Sequence, residues 1–216
     1  MEKEFENRVN SLITKAASCE EEDSFKGYKA SPILKEIVKV LEENASEEKE
    51  TLEFEYQAYS FIVDTYRRMG RYVQSSLYGK RRLEIARIVY ELYNDVLYEI
   101  PDVLKTTLRD RNLYKIDSAP DVIEIVQGIG MISDEDIKKI QDSVLRYRSG
   151  MKRDIVETTQ AYLDVIDDVE RRVDENMTYR GMGSCHEEWA LKEQYLLEYG
   201  IIWKSPAILN PKFRFD

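Results

Sequence analysis

Four acidic side chains with helical spacing form the first group of residues that could do chemistry. They are Asp164, Asp167, Asp168 and Glu170. Carboxylates three or four residues apart share one face of a helix, and their oxygens are preferred ligands of Mg²⁺. With acids from a facing helix they would serve a metal-dependent hydrolase of a phosphorylated small molecule. The alternative is a solvated helix face without a metal. Arg171 favours this alternative, because it stands where a metal site would have a third acid.

The thiol of Cys185 is the second candidate. We predict Cys185 and His186 at the start of the last helix, behind a capping box made by Ser184 and Glu187. Unpaired N–H groups at a helix N-terminus favour a thiolate, so we expect Cys185 to be alkylated faster than Cys19. Adjacent helical residues point about 100° apart, which places His186 poorly as a base for its neighbour. Zinc would also need a carboxylate and the distant second cysteine, so a structural or merely exposed pair is the favoured interpretation.

A basic run forms the third group. It contains Arg67, Arg68, Arg71, Lys80, Arg81, Arg82 and Arg87, with Glu84 as its one acid. Guanidinium groups bind carboxylates with two parallel hydrogen bonds, so exposed arginines here would bind acidic or C-terminal carboxylates. Two alternatives stay open. In the first, Arg67 and Arg68 bind no partner and only stabilise the helix dipole at the C-terminal end of their helix. In the second, the acidic segment from Glu42 to Glu55 neutralises the run across neighbouring helices.

Apolar residues return every three or four positions, which predicts helices almost throughout. The predicted helices cover about 3–17, 32–41, 46–69, 71–98, 101–111, 120–127, 133–148, 151–176 and 185–199. Ser31 with Pro32 is typical of a helix start, and Ser133 with Asp136 is typical of a capping box. The apolar face should be largely buried at Ile85, Ile88, Val89, Leu92, Ile155, Tyr162, Ile166 and Val169.

These elements predict an all-α fold, an irregular helical bundle or a short repeat-like solenoid of about eight or nine helices. We expect one domain over residues 1–200 and an extended tail over 201–216 packed on it, because Pro206 and Pro211 prevent a continuous helix there. Trp203, Phe213 and Phe215 are large apolar groups that should dock in recesses of the same chain. The alternative is that these side chains dock into a partner or into a second subunit, in which case the protein would form a homo-oligomer.

Composition excludes several classes of protein. The 216 residues are 43% hydrophobic and 34% charged, so the chain can bury a core and is not disordered. A net charge of −10 repels phosphate backbones and anionic lipid, so we expect no nucleic-acid and no membrane partner. Apolar runs are too short for a membrane segment. Two cysteines and no secretory signal predict free thiols in a reducing, cytoplasmic compartment. No specific cofactor motif is present, and we expect no cofactor.

A stretch within this pattern resembles one tetratricopeptide unit, in which aromatic, small and glycine positions let two antiparallel helices pack closely. The matching residues are Tyr59, Ile62, Val63, Tyr66, Gly70, Tyr72 and Ser75. The stretch departs from the pattern at Val63, Gly79 and Arg82, and no second copy follows. The resemblance implies that the first helix lines a concave binding face. Its exposed residues would be Gln57, Ser60, Asp64, Arg67 and Arg68.

The C-terminal stretch from Gly183 to Asp216 is similar to the tail of helical cytosolic proteins of clostridium-like Firmicutes. That similarity implies a bacterial origin and no particular chemistry. From the residues, we expect a non-catalytic interaction module that holds a protein or an acidic peptide in a groove near Arg67 and Arg68. The alternative is the hydrolase that uses Asp164, Asp167 and Asp168. A hydrolase needs carboxylates from two helices around one cavity, whereas an interaction module needs only an open groove.

Overall fold

The computed structural model describes residues 2–21, 27–97, 99–115, 119–146 and 151–215. These residues form ten α-helices and one short 3-10 helix and contain no strand, which confirms the all-α fold. The helices are α1 Glu2–Glu21, α2 Gly27–Glu43, α3 Lys49–Arg68, α4 Tyr72–Tyr93, α5 Ile100–Asn112, α6 Pro120–Ile129, α7 Asp134–Arg146, the 3-10 helix Ile155–Thr158, α8 Gln160–Asn176, α9 Ser184–Glu198 and α10 Pro206–Leu209. No helix in the described part is long and apolar enough to cross a bilayer.

Helices α3 and α4 form an antiparallel hairpin at the centre of the bundle. The chain reverses at Gly70, whose φ of +67° is a conformation that glycine adopts without strain. Near this turn the rings of Tyr66 and Tyr78 stack with centroids 5.7 Å apart. At the opposite end, the Tyr93 hydroxyl donates to the backbone carbonyl of Glu47 over 2.6 Å. Helices α5 and α6 pack on α4, α7 packs on α5, and α1 and α2 pack on each other and on α3.

Two separate hydrophobic clusters hold these helices together. The first takes its buried side chains from α1 to α7, and it runs from Phe5 to Val144. The second consists of Tyr162, Ile166, Val169, Val173, Tyr195, Leu196, Ile201 and Trp203. Helix α8 carries half of this smaller cluster on one face and packs against α9, while it also touches α2. The second cluster is therefore attached to the bundle mainly through α8.

Most residues of the predicted apolar face are buried, but two of them are exposed. Ile85, Val89, Tyr162, Ile166 and Val169 are buried and Ile88 is half-buried, whereas Leu92 is 51% exposed and Ile155 is 57% exposed. Leu92 lies in the last turn of α4, which ends because Asn94 adopts the left-handed conformation with φ of 50°. Ile155 lies in the 3-10 helix, so it does not share a face with α8. The prediction failed because it assumed helices continuous to residues 98 and from 151.

The starts of α2, α3, α8 and α9 differ from the prediction, and α3 begins at Lys49 rather than at Ser46. Helix α2 begins at Gly27, so Pro32 lies inside it and Ser31 is a buried residue of the helix. Helix α8 begins only after Thr159, whose hydroxyl accepts from the Tyr162 N–H and caps the helix. The cap of α9 is Gly183, with φ of +84°, and no side chain caps this helix.

The cap that Ser133 supplies to α7 is confirmed, and the capping box before α9 is wrong. The Ser133 hydroxyl accepts from the Asp136 N–H over 3.1 Å and donates to the Asp136 carboxylate over 2.7 Å. Glu187 instead accepts hydrogen bonds from the backbone of Thr178 and Tyr179. Its carboxylate therefore fixes the loop before α9 rather than the N-terminus of the helix.

The segment 201–215 runs back along the second cluster. Trp203 is buried and belongs to that cluster, and the Phe215 ring meets the Trp189 ring edge-on with centroids 5.0 Å apart. Phe213 does not dock on its own chain, because its side chain is 49% exposed, and docking into a second subunit stays a prediction. The prediction treated this segment as extended and so lacks the four-residue helix α10. This helix forms because Pro206 suits a first helical position.

A buried acid in α3 makes stability depend on pH. Glu55 is 2% exposed, and its Oε1 atom has no hydrogen-bond partner. Removal from water raises the pKa of this carboxyl to about 7, against an opposing effect from the charge of Arg81. The folded state therefore holds the proton up to about pH 7, whereas the unfolded chain releases it near its ordinary value of 4.5. This contribution to stability is complete below pH 4.5 and is lost as the pH rises to 7.

We therefore expect Glu55→Gln to remove this pH dependence. Its free energy of unfolding, relative to the wild type, should rise by about 2 kcal/mol between pH 5 and pH 8. Urea unfolding at both pH values measures the difference, and Glu50→Gln at an exposed position of the same helix is the control. An equal pH dependence in the wild type and in Glu55→Gln would contradict the burial cost assigned to this acid.

Candidate functional site

The residues predicted to form a binding face lie along one side of α3. Gln57 and Asp64 are exposed and Ser60 is half-buried, while Arg67 and Arg68 continue the same side to the end of the helix. Spacings of three and four residues place such positions above one another. The structure therefore brings these residues onto one helix face.

Arg67 already has an acidic partner. Its Nε atom lies 3.3 Å from Oδ1 of Asp110 on α5, and the Asp110 side chain is almost completely buried. The hydroxyl of Ser75 on α4 donates to the same carboxylate over 2.7 Å. Burial raises the pKa of Asp110 to about 6, although the hydrogen bond from Ser75 and the charges of Arg67 and Arg109 act in the opposite direction. Asp110 therefore joins α3, α4 and α5.

A basic groove lies beside this junction, between α5 and α7. Its volume is about 280 Å³, and its lining is Lys105, Arg109, Ser143 and Val144. Lys105 and Arg109 stand four residues apart and so share one face of α5. Lys105 is exposed and makes no ion pair with the described residues, and no acidic side chain among them lines the groove. We call this feature the α5–α7 groove. The spacing of its two cations is the sequence signal that could have identified it.

The acidic residues of α8 bind cations and polar groups of this chain. Asp167 accepts from Arg71 and from Nζ of Lys35, the latter over 2.6 Å. Asp168 pairs with Arg171 of its own helix. Asp164 accepts from the side-chain amide of Gln160 over 2.6 Å. Within the described ranges, no group of three or more His, Cys, Asp or Glu side chains is arranged to hold a metal ion.

Arg71 is the centre of the contact between α8 and the bundle. Its side chain is 5% exposed, and it binds Asp167 through Nη1 and Glu170 through Nη2, the latter over 2.6 Å. The Ser31 hydroxyl, whose oxygen accepts from the guanidinium over 2.9 Å, donates to Asp167 over 3.1 Å. Burial raises the pKa of Asp167, but Arg71 and Lys35 lower it by more, so that it lies below its ordinary value. We call Ser31, Lys35, Arg71, Asp167 and Glu170 the α8 seam.

The cysteine and histidine candidates do not act together. Cys185 is the second residue of α9 and is partly exposed. The Nε2 atom of His186 lies 3.0 Å from the backbone oxygen of Phe215, and its ring meets Trp189 edge-on. Cys19 is also a partly exposed free thiol, and it donates to the carbonyl of Lys15 over 3.4 Å. Faster alkylation of Cys185 stays a prediction. The His186 side chain contacts the C-terminal segment through Phe215.

Comparison with protein-family models, with curated proteins and with solved structures finds no match for this chain. The functional proposal therefore depends on the geometry of the molecule itself.

Proposed function

We propose that this protein is a non-catalytic interaction module that binds an acidic peptide or an acidic segment of another protein. The observation that carries the proposal is the α5–α7 groove, whose lining holds two cations and, within the described residues, no acid. The whole chain carries a net charge of −10, so a local basic groove contrasts with its surroundings. Such a contrast steers an acidic partner to one place on the surface.

The groove and the α3 face supply complementary kinds of contact. A volume of about 280 Å³ fits one or two side chains of a partner rather than a whole cofactor. Lys105, which is exposed and makes no ion pair with the described residues, supplies a mobile point charge, and Arg109 adds a second positive charge to the lining. Arg67 and Arg68 extend the basic surface at the end of α3. The resemblance of this stretch of sequence to a tetratricopeptide unit agrees with the same proposal, because it implies that α3 faces the ligand.

The hydrolase alternative gains no support from the contacts of its candidate residues. Asp167 and Asp168 bind arginine side chains, and Asp164 binds an amide. A hydrolase of the predicted kind would need these carboxylates to meet acids of another helix around a cavity. Their observed partners give Asp167 a role in attaching α8 to the bundle.

A charge-reversal experiment tests the proposed groove. The probe is a fluorescein-labelled hexaglutamate peptide, and its binding is followed by fluorescence polarisation at low and at high salt. We expect Lys105→Glu with Arg109→Glu to weaken binding about tenfold or more, because both groove cations become repulsive. Binding to the wild type should also weaken with added salt, as screening requires.

The matched control reverses two exposed lysines elsewhere, Lys138→Glu with Lys204→Glu, and produces the same change in net charge. Its affinity for hexaglutamate should stay within about twofold of the wild type. If the groove variant and the control weaken binding equally, only net charge matters and the groove is not the site. A hexaglutamine peptide that binds as tightly as hexaglutamate would likewise refute an acidic partner.

A further inference from the structure

A second recess lies between the two hydrophobic clusters, away from the α5–α7 groove. This inner cavity has a volume of about 150 Å³, and its walls come from the α3–α4 turn, the segment around the 3-10 helix, α8, α9 and the C-terminal segment. It adjoins an outer cleft of about 510 Å³. The two share the lining residues Met69, Glu170, Glu188 and Lys192. The inner cavity and the outer cleft are therefore neighbours on either side of these four side chains.

Arg153 brings a positive charge to this cavity without an acidic partner. Its guanidinium carbon lies 5.2 Å from the centroid of the Tyr72 ring, and Nη2 packs close to Gly70. Its side chain makes no hydrogen bond and no ion pair with the described residues. A guanidinium stacked on a ring keeps its N–H donors at the edge of its plane, where they can bind a carboxylate in parallel. Donors that are largely buried normally have acceptors.

The acid nearest in sequence does not satisfy Arg153. Glu157 accepts from the Tyr114 hydroxyl through Oε2 over 2.9 Å and from the Trp203 indole through Oε1 over 2.8 Å. Both oxygens are thus held by neutral donors from other parts of the chain. The charge of Glu157 still favours the charged form of Arg153 and helps to raise its pKa. Arg153 therefore stays cationic while its donors remain available.

The aromatic walls of the cavity already contain a cation of their own. The Lys192 ammonium lies 5.5 Å from the centroid of the Tyr162 ring and 5.1 Å from that of Trp203. It also lies 3.9 Å from Oε1 of Glu170. Aromatic rings around a cavity commonly bind a cationic ligand, but here Lys192 occupies that place. The aromatic walls therefore do not await a cationic ligand, and among the three cations of the lining Arg153 is the one that no acid of the described residues pairs.

We propose that the inner cavity binds a small carboxylate, which accepts two hydrogen bonds from Arg153 and packs its apolar body against Trp189 and Trp203. The volume is below the roughly 300 Å³ of sites for drug-sized ligands, so the ligand has few atoms. Glu188 lies where the inner cavity meets the outer cleft. Its negative charge opposes entry of the ligand, and it sets the affinity together with Arg153.

Intrinsic fluorescence tests the proposal, because the only two tryptophans of the chain, Trp189 and Trp203, both line the cavity. The full chain is titrated with benzoate, with neutral benzamide and with inorganic phosphate. We expect a saturable change with benzoate and at least about tenfold weaker binding of the other two, because only benzoate combines a carboxylate with an apolar ring. Arg153→Lys keeps the charge but loses the paired donors, and it should weaken benzoate binding about tenfold.

Glu188→Gln provides an opposite and independent test. Loss of the competing negative charge should tighten benzoate binding about threefold or more, whereas Glu193→Gln at an exposed position of the same helix should leave it unchanged. If Arg153→Lys does not fold, this pair of variants decides the matter, and equal affinities overturn the proposal. Equal binding of phosphate and benzoate overturns the carboxylate assignment, and no saturable change in the wild type overturns the site. None of these outcomes depends on hexaglutamate binding at the α5–α7 groove.

Discussion

Replacement of Trp203 by alanine should destabilise the protein by about 3 to 5 kcal/mol, the usual cost of removing a large aromatic side chain from a core. Trp203 is 2% exposed and belongs to a cluster of only eight buried side chains. Its removal also takes the indole donor away from the buried carboxylate of Glu157. Urea unfolding followed by circular dichroism measures the loss, which corresponds to a melting temperature lower by roughly 6 to 20 °C.

The neighbouring residue offers a matched control for this prediction. Ile202 is 76% exposed, so Ile202→Ala should change stability by no more than about 0.5 kcal/mol. Trp203→Phe keeps most of the apolar contact and removes only the donor, for an expected cost of about 1 to 2 kcal/mol. Equal stability of Trp203→Ala and Ile202→Ala would show that the C-terminal segment is not part of the cooperative structure.

The α8 seam leads to the second large effect. Arg71→Met should lower the free energy of unfolding by about 3 kcal/mol, because it removes a buried cation and leaves two carboxylates without their partner. Asp167 and Glu170 are 23% and 24% exposed in their side chains, so water recovers part of their solvation. The effect should therefore fall at the lower end of the range for broken buried ion pairs. Thermal and urea unfolding measure it.

An exposed arginine on α8 makes the comparison specific. Arg171 is 44% exposed and pairs with Asp168 and Glu175, so Arg171→Met should cost between 0 and about 1 kcal/mol. Adding Asp167→Asn to Arg71→Met should restore part of the lost stability, because the two residues interact directly. A loss no larger in Arg71→Met than in Arg171→Met would refute a structural role for the seam.

Local patterns in the sequence predict the helices well and their ends less well. The three-and-four spacing of apolar residues gives the all-α fold and nine of its helices, and Ser133 correctly marks the start of α7. Ser31 and Pro32 wrongly predict a helix start. Ser31 does not cap a helix, because its buried hydroxyl binds Arg71 before α4 and Asp167 on α8. Tertiary contacts of this kind outweigh a local preference worth about 1 kcal/mol.

The site depends on pairings that no local pattern contains. The basic run and the acidic face of α8 are both visible in the sequence as separate candidates, yet the structure joins them through Arg71 and Asp167, which are 96 residues apart. Periodicity shows which face of a helix is polar but not which helix it meets. The four-residue spacing of Lys105 and Arg109 is visible in the sequence, but only the approach of α7 turns these two cations into a groove.

The division of the core into two clusters also matters while the chain is being made. The first cluster ends at Val144, so all of its residues have been synthesised before α8 begins. Domains generally fold as units during translation. Until α8 emerges, the surface that awaits it presents Lys35 and Arg71, charged groups that water solvates well. The charged groups of the seam therefore oppose association of the unfinished chain with other chains at the place where α8 will bind.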